Sequence, residues 1–200
     1  MEPVRRRGYN LFHAIVFKAR GLALVPPLVL LVLCRRWEIE SEWAIWGAGL
    51  PVFLAGTALR VWAQRHLSYR LRTDPRLAVT GPYAYVRNPV YVGNALIVAG
   101  LAVMCELPWA VPLLVLWVSI VYSLAVRFEE ARLLKRYGEQ YERYLHRVPR
   151  WVPAIPALLE SWPDGARAAS WATAGRAEWH CSLLLLLPAA KELISHGCGS

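Results

Sequence analysis

The sequence predicts an all-α fold, a polytopic membrane helix bundle of four to five transmembrane helices with a cytoplasmic amphipathic helix after the fourth. Three observations carry this expectation. Of the 200 residues, 56% are hydrophobic and ten are Trp, and mean hydropathy is +0.31, too apolar for an ordinary soluble domain of this length. Apolar runs approaching bilayer length recur along the chain. Basic residues flank alternate runs instead of forming one stripe interleaved with aromatics, so the net charge of +9 reads as membrane topology and nucleic acid is not an expected partner. The basic start Arg5-Arg6-Arg7 lacks a clean apolar core followed by a small-residue cleavage site, so the N-terminus is expected to be retained.

The first span is expected over residues 18–34, with Lys18 snorkelling to the interface and Pro26-Pro27 kinking the helix. A second, over 43–62, has a Trp at each end and Gly47, Pro51 and Ala55 at intervals of four, a spacing that predicts close helix contact. The third, over 89–105, is somewhat short and carries Gly93, Ile97 and Gly100 on one narrow side. The fourth covers 107–128. Little but Glu106 separates the last two, which predicts a tight antiparallel hairpin. Beyond Val152 the pattern weakens to a polar, Ala-rich stretch over 161–176 and an apolar run over 183–187, which reads as a fifth span or an interfacial helix. The expected division is an N-terminal region (1–62) with two spans, a catalytic core (63–153) and a C-terminal extension (154–200).

Loop charges test this count independently. The N-terminal segment carries Arg5, Arg6, Arg7, Lys18 and Arg20, whereas Arg35 and Arg36 in the first connection are offset by Glu38, Glu40 and Glu42. The second connection is basic through Arg65, Arg70, Arg72, Arg76 and Arg87; the third has no Lys or Arg; the segment after the fourth span is basic again. Such alternation predicts a cytoplasmic N-terminus and a cytoplasmic site. The cysteines, Cys34, Cys105, Cys181 and Cys198, are scattered without ligand spacing, so no metal site is expected.

Two stretches stand out as chemical. In Gly81-Pro82-Tyr83-Ala84-Tyr85-Val86-Arg87-Asn88-Pro89-Val90-Tyr91-Val92-Gly93-Asn94, Asn88 suits a helix N-cap and Pro89 the first turn. The helix beginning there would offer amides and a positive dipole end to an anion, or simply be a capped turn. In the second stretch, Glu130, Leu134, Tyr137, Tyr141 and Tyr144 recur at spacings of four and three, so one continuous helix would put a carboxylate beside an aromatic stripe. Arg132, Lys135, Arg136, Glu139 and Arg143 fall on the opposite, solvated face. Glu129 and Glu130 either pair with Arg87 or Arg127 or serve chemistry, and the two readings are compatible.

Together these motifs, with the trailing Arg147-Val148-Pro149-Arg150-Trp151-Val152-Pro153, resemble the isoprenylcysteine carboxyl methyltransferase and phospholipid methyltransferase group of integral membrane enzymes, over about residues 59–153. The resemblance implies a methyltransferase that uses S-adenosylmethionine and takes a lipophilic acceptor, a prenylcysteine-like carboxylate or a lipid amine, from the bilayer. Eukaryotic carboxyl methyltransferases of the group usually have His where this chain has Asn88, so the chain resembles the bacterial-type members, which implies a bacterial inner membrane, and position 88 cannot titrate. His66 is either a replacement base or, more simply, an interfacial histidine.

S-adenosylmethionine presents a carboxylate, an ammonium, a sulfonium and a flat adenine. The expected catalytic residues are Arg87, Glu129 and Glu130, and the expected cofactor-binding residues are Tyr83, Tyr85, Arg87, Asn88, Pro89, Tyr91, Gly93, Asn94, Glu130, Tyr137 and Tyr141. Arg87, Asn88 and the helix amides would hold the carboxylate, Glu129 or Glu130 would meet the ammonium or orient an Arg, and tyrosines would cover the adenine or sulfonium. Two alternatives stand beside this reading: a sterol-type membrane reductase binding a nicotinamide dinucleotide, and a non-enzymatic scaffold whose basic loops bind anionic lipid.

Overall fold

The computed structural model describes residues 42–73, 77–153 and 183–188 together with Pro26 and Val29, with backbone only at 42 and 69–73. Pro26 and Val29 are helical. The rest of the expected first span, the Ala-rich stretch and most of the expected fifth span lie outside the described residues. Among the described residues every regular element is helical. In chain order these are α1 (Glu42–Thr73), a 3-10 turn (Gly81–Ala84), α2 (Pro89–Met104), a second 3-10 turn (Pro108–Ala110), α3 (Val111–Tyr137) and α4 (Glu139–Arg147).

α1 has 32 residues, about 48 Å at a rise of 1.5 Å per residue, and it runs unbroken through 62 and 63. Two apolar segments are long enough to cross a bilayer, Trp43–Ser68 and Pro108–Tyr137, and only 22% and 33% of their most apolar stretches are buried. The core helix of a soluble protein would hide most of that surface, whereas here Leu54, Leu113, Leu116, Trp117 and Ile120 face outward. α2 is apolar but has 16 residues, about 24 Å, so it is shorter than the bilayer's hydrocarbon core. Of the three full spans expected in this region, two have membrane length.

α1 and α2 meet through glycines. A Cβ at Gly56 would lie 2.7 Å from the carbonyl oxygen of Gly93, and one at Gly93 would lie 2.8 Å from that of Gly56. One heptad away, a Cβ at Gly100 would lie 2.6 Å from the backbone nitrogen of Phe53, and one at Gly49 2.9 Å from the Gly100 carbonyl oxygen. The backbones therefore touch along two matched Gly pairs, with Phe53 filling the space between them. The expected contact residues on α1 were wrong: Gly47 has nothing within 4 Å of its added Cβ, and Gly47, Pro51 and Ala55 are exposed. They lie on the outward side, and the inward stripe is Gly49, Phe53 and Gly56.

The connection from α2 to α3 is as short as its sequence suggested. The Leu107 amide donates to the Ala102 carbonyl at 2.9 Å and Glu106 takes a φ of 60°, reversing the chain within a few residues. Val98, Leu101, Leu107, Leu114, Val118, Tyr122 and Val126 then form the shared core of α2 and α3, with Leu184 and Leu185 packed against it.

The continuous helix expected from the fourth span through Tyr144 is interrupted. Gly138 adopts φ 53° and ψ −130°, a conformation open in practice to glycine alone, and separates α3 from α4. Its amide closes α3 on the Leu134 carbonyl at 2.9 Å, and its own carbonyl accepts from Tyr141 and Glu142 to open α4. An added Cβ there meets nothing. Gly138→Ala is thus expected to cost about 1–3 kcal/mol through backbone strain alone, read as a lower unfolding midpoint.

Candidate active site

The loop ahead of α2 is built around Gly81. Its φ of 61° and a would-be Cβ contact 2.8 Å from the His66 ring leave room for no side chain. His66 Nε2 lies 2.9 Å from Thr80 Oγ1, and its ring is 6.2 Å from that of Tyr83. His66 thereby ties the loop to α1. Val86 and Pro82 are buried, and the Arg87 amide donates to the Pro149 carbonyl at 2.9 Å.

Asn88 occupies the N-cap position of α2 without capping it. Its side-chain amide donates instead to the Arg150 carbonyl at 3.2 Å, because the extended segment leaving α4 runs alongside and offers its carbonyls. Helix amides Tyr91 and Val92 both donate to the Asn88 carbonyl at 3.1 Å. The open row of amides expected at this helix start is therefore reduced.

Charged side chains converge where that segment meets the end of α3. Arg87 Nη1 donates to Glu130 Oε1 at 2.9 Å, and these two side chains are 15% and 14% exposed. Arg150 grips the same carboxylate through two donors, Nε to Oε1 at 3.2 Å and Nη2 to Oε2. Two guanidiniums on one carboxylate leave a net positive charge. Arg87 Nε is buried and makes no hydrogen bond among the described residues. One helix position away, Tyr91 Oη donates to Glu129 Oε2 at 3.2 Å.

Tyrosines surround this cluster. Tyr144 Oη donates to the Tyr83 carbonyl at 2.8 Å, locking α4 onto the loop. Tyr141 and Tyr144 pack with Leu77, Val79 and Val148. Burial pushes the Tyr83, Tyr141 and Tyr144 phenols well above the ordinary tyrosine range, with Glu129 adding to the rise at Tyr83 and Glu130 at Tyr141. All three stay neutral and able to donate through the physiological range. Tyr144→Phe removes one such bond and is expected to lower stability by about 1 kcal/mol, measured by thermal unfolding in detergent.

Of the residues expected from the sequence, Tyr83, Arg87, Asn88, Tyr91, Glu129, Glu130 and Tyr141 gather around this cluster. Pro89 is the buried first residue of α2. Tyr85 turns toward Trp62, with ring centroids 6.3 Å apart. Tyr137 lies against the Leu77 cluster with Arg136 over its ring at 5.3 Å. Gly93 faces α1, where it admits the Gly56 backbone. Asn94 faces Arg60 and Tyr122. Arg150, Arg60 and Tyr122 were not anticipated as site residues; Arg150 stood within the motif that carried the resemblance, but its position in an extended tail gave no periodic cue.

A helical core with two membrane-length apolar segments, mostly facing outward, and an Arg–Glu–Arg cluster at one rim is that of an integral membrane protein with a polar site at its edge. Residues 44–140 match the family described as phospholipid methyltransferase, and the relatives that the chain resembles include proteins named as methyltransferases. It is 30% identical to the nickel-cobalt-cadmium resistance protein NccN of Alcaligenes xylosoxydans xylosoxydans, over 66% of this chain and 62% of that protein. It is 32% identical to the cobalt-zinc-cadmium resistance protein CzcN of Cupriavidus metallidurans, over 53% and 47%. It is 37% identical to the protein-S-isoprenylcysteine O-methyltransferase of Schizosaccharomyces pombe, over 46% and 39%. The chain thus spans less than two thirds of each of these relatives. No solved structure matches it.

Proposed function

We propose that the protein transfers a methyl group from S-adenosylmethionine to a lipophilic acceptor at the cytoplasmic face of the membrane, with residues 63–153 as the catalytic core. The observation that carries the reading is the convergence of Arg87 and Arg150 on Glu130 beside the Tyr91–Glu129 pair. The donor set fits the cofactor. The net positive Arg–Glu–Arg cluster, with its buried Arg87 Nε making no hydrogen bond among the described residues, suits the cofactor's carboxylate. Glu129 and the phenol faces of Tyr83 and Tyr91 suit its cationic groups, and Tyr141 its adenine. Glu130 in this reading orients the two arginines, leaving Glu129 to meet positive charge.

When bound, S-adenosylmethionine supplies a methyl group made electrophilic by the sulfonium. The protein's part is to hold the donor in place and keep water away, and positioning of this kind supplies most of the rate in a direct displacement. A carboxylate acceptor is already ionised and needs no base; an amine must first lose a proton. Asn88 cannot accept one, and His66 is committed to the loop. A prenylcysteine-like carboxylate is therefore the acceptor class that these residues serve most simply. The two resistance proteins are named for a phenotype rather than a reaction, so their names leave the acceptor open. The match to a methyltransferase family over residues 44–140 does not favour the reductase or scaffold alternatives.

Calorimetry on detergent-purified protein tests the proposal, titrating S-adenosylhomocysteine and a reduced nicotinamide dinucleotide in parallel. Micromolar binding of the first alone is expected. Binding of the dinucleotide alone, or of neither, overturns it. Glu139 is exposed on the far side of α4's start, and Glu139→Gln is expected to change the affinity less than twofold.

A further inference from the structure

Asn94 is a buried polar residue, 7% exposed, among three helices. Its amide has one possible orientation. Arg60 of α1 can only donate, so its Nη1 must meet Asn94 Oδ1, which leaves Nδ2 to donate to Tyr122 Oη at 2.9 Å. The reverse orientation would set two donors against each other. The Tyr122 ring lies 4.5 Å from that of Tyr91, and Tyr91 in turn donates to Glu129 at 3.2 Å. A chain of contacts therefore runs from Arg60 in α1 through Asn94, Tyr122 and Tyr91 to Glu129 near the end of α3. Polar and charged side chains in helices of this kind are costly to retain, and packing alone would be met by a leucine at 94.

We propose that Asn94 is a positioning residue for Glu129. It fixes the height of the Tyr122 ring, which seats the Tyr91 ring, whose hydroxyl then aims the Glu129 carboxylate. Gly93 is the companion device, since its missing Cβ lets the Arg60 stem pass at a would-be distance of 3.1 Å. The inference rests on the reading of Glu129 as the carboxylate that faces the cofactor's positive charge, and it assigns Asn94 no contact with the cofactor itself.

A double-mutant cycle on S-adenosylhomocysteine affinity, measured by calorimetry, tests it. Asn94→Leu and Tyr91→Phe are each expected to weaken binding about 5- to 20-fold, and the double variant no more than the weaker single one. Asn94→Asp still accepts from Arg60, and the Tyr122 hydroxyl can turn to donate to it, so this variant should stay within about twofold of the parent. If Asn94→Leu does not fold, Tyr122→Phe replaces it in the cycle with the same expectation of non-additivity. Single effects that multiply in the double variant, or an Asn94→Asp as weak as Asn94→Leu, would overturn the positioning role while leaving the proposed function intact. A parent protein that binds no S-adenosylhomocysteine overturns both.

Discussion

Glu130→Gln is expected to weaken S-adenosylhomocysteine binding roughly 30- to 150-fold, with turnover falling at least as far. The substitution keeps the shape of the side chain and removes its charge. Arg87 and Arg150 then face each other across a neutral amide that can accept from only one side. Removing one member of a buried, hydrogen-bonded charge pair costs about 2–5 kcal/mol. The partners here are 15% and 14% exposed, so the lower part of that range, about 2–3 kcal/mol, is the appropriate figure, at 1.4 kcal/mol per tenfold. Arg87→Ala should reach the same range by removing the guanidinium outright. Calorimetry of both variants beside Glu139→Gln checks the assignment: equal, small effects from all three would mean that the cluster is structural.

Gly100→Val is expected to prevent accumulation of folded protein, and Gly100→Ala to lower the unfolding midpoint sharply. A methyl group at Gly100 would sit 2.6 Å from the Phe53 backbone nitrogen and 2.8 Å from the Gly49 carbonyl oxygen. Backbone cannot swing aside as a flexible side chain can, so α1 and α2 must separate along their length. Overpacking typically costs about 1–3 kcal/mol where neighbours can shift, and more where they cannot. Gly47→Ala is the matched control, because its Cβ would meet nothing, and it should leave the midpoint within a degree or two of the parent. Thermal unfolding in one detergent compares them. A Gly100→Ala midpoint equal to that of Gly47→Ala would contradict the close helix approach.

The two glycine sites also explain what was and was not legible in the sequence. Gly47, Pro51 and Ala55 share a face by spacing, but so do Gly49, Phe53 and Gly56, and a small-residue interval does not say which face has a partner. The opposing helix held the missing clue: Gly93 and Gly100 are seven apart, which matches Gly49 and Gly56 rather than the interval of four. Arg87, Tyr91, Glu129 and Glu130 were legible because polar groups at the ends of apolar runs stand out against their surroundings. The role of Arg150 was not, since it reaches Glu130 from an extended segment with no periodicity. Gly138 was read as part of a helix because the residues around it keep helical spacing on both sides of the break. Asn88 has the right position for a cap, yet its side chain bonds the Arg150 carbonyl, a partner 62 residues away that local propensity cannot reveal.

Photolabelling with an azido derivative of S-adenosylmethionine, followed by peptide mapping, tests most directly whether the turn before α2 and the acidic end of α3 enclose one cofactor. Label is expected on peptides from both 77–91 and 129–151, displaced from both by excess S-adenosylhomocysteine at the same concentration. Displaceable label on only one of these stretches, or on peptides outside them, would contradict a shared site.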